Sequence, residues 1–523
     1  MNIKMWFWLP VLLLLAGCGG SSGGSSGGGS VDPYGLTVAR GQVPQEVVVS
    51  WHDRDGVEHY ELLLAREPLE DPEHYASYDS GELIMDAESP VTLQLEPGTW
   101  YFRVAAFADE AEFPISVEVS LFNPVGGLND TGITLCADED DADFDCSDEL
   151  VSEFPRQDGH VGRDADSTLI KLGAGDAGFD YTRICNSGEA AGKGDCPLDP
   201  QPGAGDNDWA CTRDNVTGLV WEVKVDDPEH LRYSGHAYTW YSNDLPEHDG
   251  EVGHVGRDSD CVGLAHCNTQ AYTRSVNETG LCGRHDWRLP EINELAGILH
   301  MGVTQPAVDE HAFDATGGLF WAGTPSLPLG STHDAWAAEF DGSSVATETA
   351  TEFARLAVRL VRADSALTAR CPATPTDDFE VGHETATHLP TGLMWKRCPE
   401  GSAVNAAGDA CDVQGEVEDS RYSWQQALQH AEQQVFAGHG DWRVPNRKEL
   451  QSIMEYCSRP RLNQEVFPDF SGLGSSVFWS SSPQTPQWNV SSSSWPVQFQ
   501  SGRSYPAGRH SEHLIRLVRD AAP

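Results

Sequence analysis

Four short motifs occur twice in the second half of this chain, in one order and at near-equal intervals. Thr217-Gly218-Leu219-Val220-Trp221 returns as Thr391-Gly392-Leu393-Met394-Trp395, and Trp287-Arg288-Leu289-Pro290 as Trp442-Arg443-Val444-Pro445. Phe320-Trp321 returns as Phe478-Trp479, and Arg359-Leu360-Val361-Arg362 as Arg516-Leu517-Val518-Arg519. Trp287 to Trp321 is 34 residues and Trp442 to Trp479 is 37; the next intervals, to Arg359 and Arg516, are 38 and 37. A repeat of this period reads as duplicated domains and not as a solenoid. The first copy is 19 residues longer between its first two motifs. The excess, which includes His248–Asp260, reads as a polar surface loop near Cys261 and Cys267.

Periodicity predicts the local structure of each copy. Leu295, Ile298 and Leu299 match Leu450, Ile453 and Met454 at i, i+3, i+4 spacing, so helices starting near Asn293 and Asn446 bury one face. Asn446 is a good helix cap. A further helix is expected from Ser423 to about Val435, with Ser423 and Gln426 as a capping box and Trp424, Ala427, Leu428 and Ala431 as its apolar stripe. The Phe-Trp and Arg-Leu-Val-Arg segments read as strands, the latter with one solvated face; Ser480–Pro483 and Gln500–Gly502 read as turns. Each copy is thus expected to be a compact α+β unit.

The N-terminus carries Lys4, an apolar run from Met5 to Ala16, and Leu15-Ala16-Gly17-Cys18. That is the pattern of a secretion signal, and the run is shorter than the ~20 apolar residues a spanning helix wants. The Leu-Ala-Gly-Cys ending resembles the bacterial lipobox. The resemblance implies that residues 1–18 are a signal with Cys18 lipidated, and Gly19 after it implies sorting to the outer membrane. Residues 19–30 are Gly and Ser throughout and read as a flexible tether.

Residues 31–125 contain no cysteine and read as short strands. Val47-Val48-Val49-Ser50-Trp51 is a β-rich run, and Trp100, Phe102, Val104 and Ala106 alternate down a later strand after the turn signal Glu96-Pro97-Gly98. An all-β two-sheet sandwich follows. Val49-Ser50-Trp51 and Leu95–Val104 resemble the fibronectin type III family, which implies that the tryptophan fills the core and that Tyr101 makes a corner hydrogen bond to backbone. Residues 126–204 form an acidic, cysteine-containing lead-in to the copies, which are taken as 205–365 and 371–523.

Charge excludes some partners. The chain of 523 residues carries a formal net charge of −48, with 33 Lys+Arg against 81 Asp+Glu. Such a surface repels nucleic acid and anionic headgroups. It resembles the surfaces of salt-adapted proteins, where salt screens dense carboxylates. The charge is uneven: residues 31–125 carry about −15, 126–370 about −28 and 371–523 about −6. Thirteen cysteines less Cys18 leave an even twelve, so disulfides are the default in an oxidising compartment. Short separations nominate Cys136–Cys146, Cys185–Cys196, Cys261–Cys267 and Cys398–Cys411. The alternative, a zinc site, finds no Cys-x2-Cys pair.

The repeated motifs also carry a family resemblance. Thr391–Trp395, Trp442-Arg443-Val444-Pro445-Asn446-Arg447-Lys448-Glu449-Leu450, Phe478-Trp479-Ser480-Ser481-Ser482 and Ile515–Arg519 resemble the Lcl C-terminal domain family, over roughly 205–365 and 377–520. Gln157–Asp164 with Gly178-Phe179-Asp180 is similar to the lead-in found before such domains. The resemblance implies adhesion, with sulfated glycan binding in at least one member. The order of helices and Trp-rich strands is similar to C-type-lectin-like folds, as a fold analogy.

Chemistry is sparsely signalled. Gly-x-Ser-x-Gly falls only within the Gly/Ser segment 19–30, His-Glu-x-x-His does not occur, and no cofactor, metal ligand set or catalytic group is nominated. The acidic run Asp138–Asp145 reads either as a calcium loop or as a solvated one; it lacks the glycine and distal glutamate of an EF-hand. Trp479 and Trp321 read either as sugar-stacking platforms or as core. Arg503, Arg509, His510 and His513 read either as an anion-binding rim or as plain surface. The expectation is an outer-membrane lipoprotein, not an enzyme, that meets the membrane through its anchor and binds glycans. The alternatives are an assembly protein for other envelope proteins and, more remotely, an enzyme of lectin-like fold.

Overall fold

The structure, a computed structural model, describes residues 32–40, 45–70, 72–78, 80–108, 111–123, 126–243, 253–257, 261–314, 316–326, 334–342, 344–349, 353–363, 374–456, 461–484 and 492–521. Cys18, the Gly/Ser segment, Cys371, Cys457 and most of His248–Asp260 lie outside them. No helix among the described residues is long and apolar enough to cross a membrane. The fold is β-rich throughout, with several antiparallel sheets and only short helices.

Period-two patterning builds the N-terminal domain as expected. Strands Thr37–Arg40, Glu46–Ser50 and Val91–Gln94 form one sheet. Glu82–Ile84, His59–Ala65, Gly98–Ala108 and Val119–Asn123 form the other, with the short Ala111–Glu112 beside Gly98–Ala108. Val47, Val49, Leu62, Leu64, Phe102 and Val104 meet with Trp51 in one core between them. The corner hydrogen bond assigned to Tyr101 is made by its neighbour: Trp100 Nε1 donates to Glu96 O at 2.8 Å. Successive strand residues face opposite ways, so only one of the two could enter the main core. Tyr101 packs instead against a satellite cluster with Leu63 and Leu83.

The duplication is visible strand for strand. In the first copy Tyr181–Cys185, Trp209–Asp214, Leu219–Glu222 and Val361–Ala363 make a four-stranded antiparallel sheet. In the second, Phe379–Val381, Thr385–His388, Leu393–Lys396 and Val518–Asp520 make its counterpart. The lead-in therefore supplies an edge strand to the first copy. The Phe-Trp motifs lie in strands Leu319–Ser326 and Val477–Pro483. Ser480–Pro483, expected as a turn, continues the second of these and is wholly buried, while the turn expected at Gln500–Gly502 lies between Ser493–Gln498 and Arg503–Ser504.

Helix caps behave as their side chains dictate. Asn446 accepts from Glu449 N and caps Arg447–Ser452; Ser423 accepts from Gln426 N and caps Trp424–Glu432. In the first copy Glu291 and Glu294 form the capping box of Ile292–Gly297. The copies differ between their first two motifs: the second has a hairpin, Ser402–Val404 with Cys411–Val413, before its helix, and the first has its insertion. Trp424 opens a helix at once, whereas its counterpart Trp240 is followed by the insertion, and the first copy's helix begins only at Thr269, capped by Asn268. Thr269 N donates to Thr239 O and Tyr241 N to Thr269 Oγ1, which closes the insertion at its base.

The two copies share one sheet and one core. Strands Leu319–Ser326, Asp334–Glu339 and Ser344–Thr349 of the first join Arg503–Ser504, Ser493–Gln498 and Val477–Pro483 of the second, and Ala507–Gly508 completes seven. The joint is the antiparallel pairing of Val345 with Ser504. Trp336 crosses the boundary, with its ring 4.8 Å from Tyr456 and its Nε1 donating to Tyr456 O at 3.2 Å. Leu295, Phe320 and Trp221 of the first copy belong to the same buried cluster as Leu450, Phe478 and Trp395 of the second.

All four nominated disulfides form. A fifth, Cys211–Cys282, spans 71 residues within the first copy.

Candidate functional site

Most residues of the repeated motifs make the same internal contact in both copies. Trp287 Nε1 donates to Leu281 O and Trp442 Nε1 to Phe436 O, each at 3.0 Å and each six residues upstream. Trp321 Nε1 donates to Tyr238 O and Trp479 Nε1 to Tyr422 O. Arg288 forks onto both oxygens of Glu294, as Arg443 does onto Glu449. Arg362 pairs with Asp286, and Arg519 with Asp441.

The first arginine of each Arg-Leu-Val-Arg is fully buried and donates to a carbonyl of the adjacent strand: Arg359 to Glu222 O and Arg516 to Lys396 O, both at 2.9 Å. Arg359 lies over Phe313 and Phe320, and Arg516 over Phe467, Phe470 and Phe478. The solvated face expected of these segments is therefore absent. A planar guanidinium can stack on rings while its N–H groups reach backbone, which alternation of charged and apolar residues does not reveal.

The nominated rim does not converge on open space. Trp479 has no exposure and packs against His513 with ring centres 4.6 Å apart and planes inclined at 57°. Arg509 is buried over Trp424, and its guanidinium donates to the carbonyls of Asp138 and Asp141 at 2.9 and 3.0 Å and to Ser493 O. It thus clamps the acidic loop Asp138–Asp145 from within. His510 is exposed and pairs with Glu139 at 3.1 Å. His513 is half-buried, and burial first, then Arg421, holds its pKa below the usual imidazole range. Arg503 sits half-buried in the strand that joins the copies. The C-terminal segment thus meets the acidic loop through backbone carbonyls at Arg509 and through one carboxylate at His510.

Two concave places adjoin the second copy. One is a groove of about 400 Å³ on the second copy, lined by Arg461, Gln464, Asp469, Phe470, Phe499 and Gln500 among others. It combines aromatic faces with hydrogen-bonding side chains. The other is a recess of about 190 Å³ where the lead-in meets the second copy, lined by Asn129, Asp130, Gly162, Arg163, Arg443 and Asn446 among others.

Behind that recess lies a cluster of buried polar groups. Asp130 and Asp158 are buried; Asp164 is partly exposed as a residue, but its carboxyl faces inward. One oxygen from each of the three lies within 4.8 Å of the others. Asp130 Oδ1 accepts from Thr131 N and Asn446 Nδ2, and Oδ2 from Asp164 N. Asp164 accepts from Gly132 N and Gly178 N. Asp158 Oδ2 accepts from Thr131 and from Ser482 of the second copy. Lys448 Nζ donates at 2.7 Å to Asp130 O and to Gly297 O, tying lead-in and both copies together. Burial, with Asp164 as neighbour, lifts Asp130 well above the usual carboxylate range and Asp158 to about 7. Burial lowers Lys448 to about 7 against the pull of those carboxylates. A Cβ at Gly162 would collide with Asp130 Oδ2, and its φ of +79° also demands glycine. The motif Gln157–Asp164 was legible, but its convergence with Asp130 was not: these residues meet only in the fold.

Comparison with curated proteins returned no match. The sequence profile of the Lcl C-terminal domain matches residues 210–362 and again 384–519, more than half of the chain. The matched segments coincide with the two copies whose motif strands and tryptophan hydrogen bonds correspond, and the chain belongs to the Lcl C-terminal domain family.

Proposed function

We propose that this protein is a cell-envelope lipoprotein with a non-catalytic binding or adhesion role, held to the outer membrane through Cys18. The observation that carries this reading is the use made of the repeated motifs. In both copies Trp287/Trp442, Trp321/Trp479 and Arg359/Arg516 make the same internal hydrogen bonds, and Trp221/Trp395 are fully buried. Such residues build a scaffold, and recognition falls to the surfaces that differ between copies. Glycans are the favoured ligand class, and the groove containing Phe470, Phe499, Arg461 and Asp469 is the favoured seat, since sugar binding joins an aromatic face to a few placed polar groups. The acid-rich surface disfavours sulfated sugars by long-range repulsion.

The N-terminal domain serves as a spacer in this reading. Its three-strand and four-strand sheets, with the short added edge strand, support the likeness to fibronectin type III domains. A lectin-like fold for the copies remains an analogy. The test is a glycan array probed with the chain and with a Phe470→Ala variant. Binding to neutral sugars that the variant loses is the expected result. Silence across neutral and sulfated sugars, with envelope proteins recovered by crosslinking, would replace this reading with the assembly role.

A further inference from the structure

We infer that Asp130, Asp158 and Asp164 form a binding site for one divalent cation, calcium by its dimensions, at the junction of the lead-in with both copies. Two independent observations point to a ligand. The first is an orphan: Asp158 is fully buried, and its Oδ1 has no hydrogen-bond partner. An unpartnered buried carboxylate oxygen is costly in a folded protein. The second is the charge balance. Arg443 is matched by Glu449 in a two-pronged pair. That leaves Lys448 facing three carboxylates, and its ammonium donates to carbonyls rather than to any of them. None of the three carboxyl groups is thus ion-paired to Lys448, and a divalent ion, which would bind them in their ionised form, supplies the missing counter-charge.

Geometry and chemistry select the ion. The three oxygens lie within 4.8 Å of one another, so a single ion can sit among all three, and calcium accepts such irregular oxygen sets at ~2.3–2.6 Å. Magnesium, at ~2.1 Å, demands near-ideal octahedral geometry and gives up its waters reluctantly, which a cluster of three carboxylates from separate loops suits less well. Carboxylate oxygens suit hard cations and not zinc or copper. The recess lined by Asp130, Gly162 and Arg163 offers a route from solvent. Asp158 is anchored by Ser482 and Asp130 by Asn446, both of the second copy, so the ion would fasten the lead-in to that copy. The inference is independent of what the protein binds at its surface.

Calcium titration of the chelated full chain, in salt sufficient to screen surface carboxylates, tests this by calorimetry and native mass spectrometry. One tight calcium per chain is expected. Asp158→Asn and, separately, Asp164→Asn at the cluster's edge should each weaken it by at least the ~10- to 100-fold associated with losing a ligand's support. Asp138→Asn with Asp140→Asn in the exposed loop should leave it unchanged. Absence of a tight site in the unmutated chain would overturn the inference, as would a tight site that survives both cluster variants. Tight magnesium with weak calcium would overturn the choice of ion.

Discussion

Replacing Trp336 by alanine separates a shared core from two independent ones. Its side chain has no exposure and packs in the first copy against Tyr456, Arg461 and Gly502 of the second. Removing a fully buried tryptophan costs about 3–5 kcal/mol. The consequence for melting depends on how much chain unfolds together, at about 2.1 cal/mol/K per residue. If lead-in and copies melt as one unit of roughly 390 residues, a loss of ~4 kcal/mol lowers Tm by about 5 °C. If each copy of roughly 150 residues melted alone, the same loss would lower one transition by about 13 °C and leave the other in place. Differential scanning calorimetry of the full chain distinguishes these outcomes. A single copy transition shifted by the smaller amount is expected, with the N-terminal sandwich unaffected. A split endotherm with one component unmoved would refute the shared core.

Two further perturbations follow from the structure. His388 is buried against Phe379, and burial holds its pKa at about 4, below the ordinary 6.5. Its folded pKa is depressed, so its contribution is full above pH 6.5 and is lost as pH falls toward 4, about 3 kcal/mol over that window; chemical denaturation at pH 7 and pH 4.5 should show a smaller difference in His388→Phe than in the parent. Cys211–Cys282 closes 71 residues and Cys398–Cys411 closes 13. Loop entropy assigns them about 4 and about 3 kcal/mol, so the Cys211→Ala, Cys282→Ala pair should lower the denaturation midpoint further than the Cys398→Ala, Cys411→Ala pair.

What the sequence disclosed followed distance along the chain. Short-range signals were legible: period-two strands in the sandwich, caps at Ser423 and Asn446, and four disulfides closing short loops. Cys211–Cys282 escaped because 71 residues separate its ends. The repeat disclosed two copies but not their fusion, since the joint is one residue pair between two short strands, Val345 and Ser504. Arg359 and Arg516 resembled the polar face of an amphipathic strand, because sequence does not show the phenylalanines beneath them. Arg509 was read as surface because its partners, the carbonyls of Asp138 and Asp141, lie some 370 residues away and carry no side-chain signal. The aspartate cluster was hidden for the same reason, with its second-copy anchors 316 and 324 residues from Asp130 and Asp158.

The fusion of lead-in and both copies into one body is tested most directly by cutting the chain between them. A protease site placed within residues 364–370 would be cleaved and the product examined under native conditions by size-exclusion chromatography with light scattering. The continuous sheet, the common core and the Asp158–Ser482 and Arg509–Asp138 contacts require the two fragments to co-elute at the mass of the intact chain. Separation into two folded species of lower mass would show that the copies stand apart.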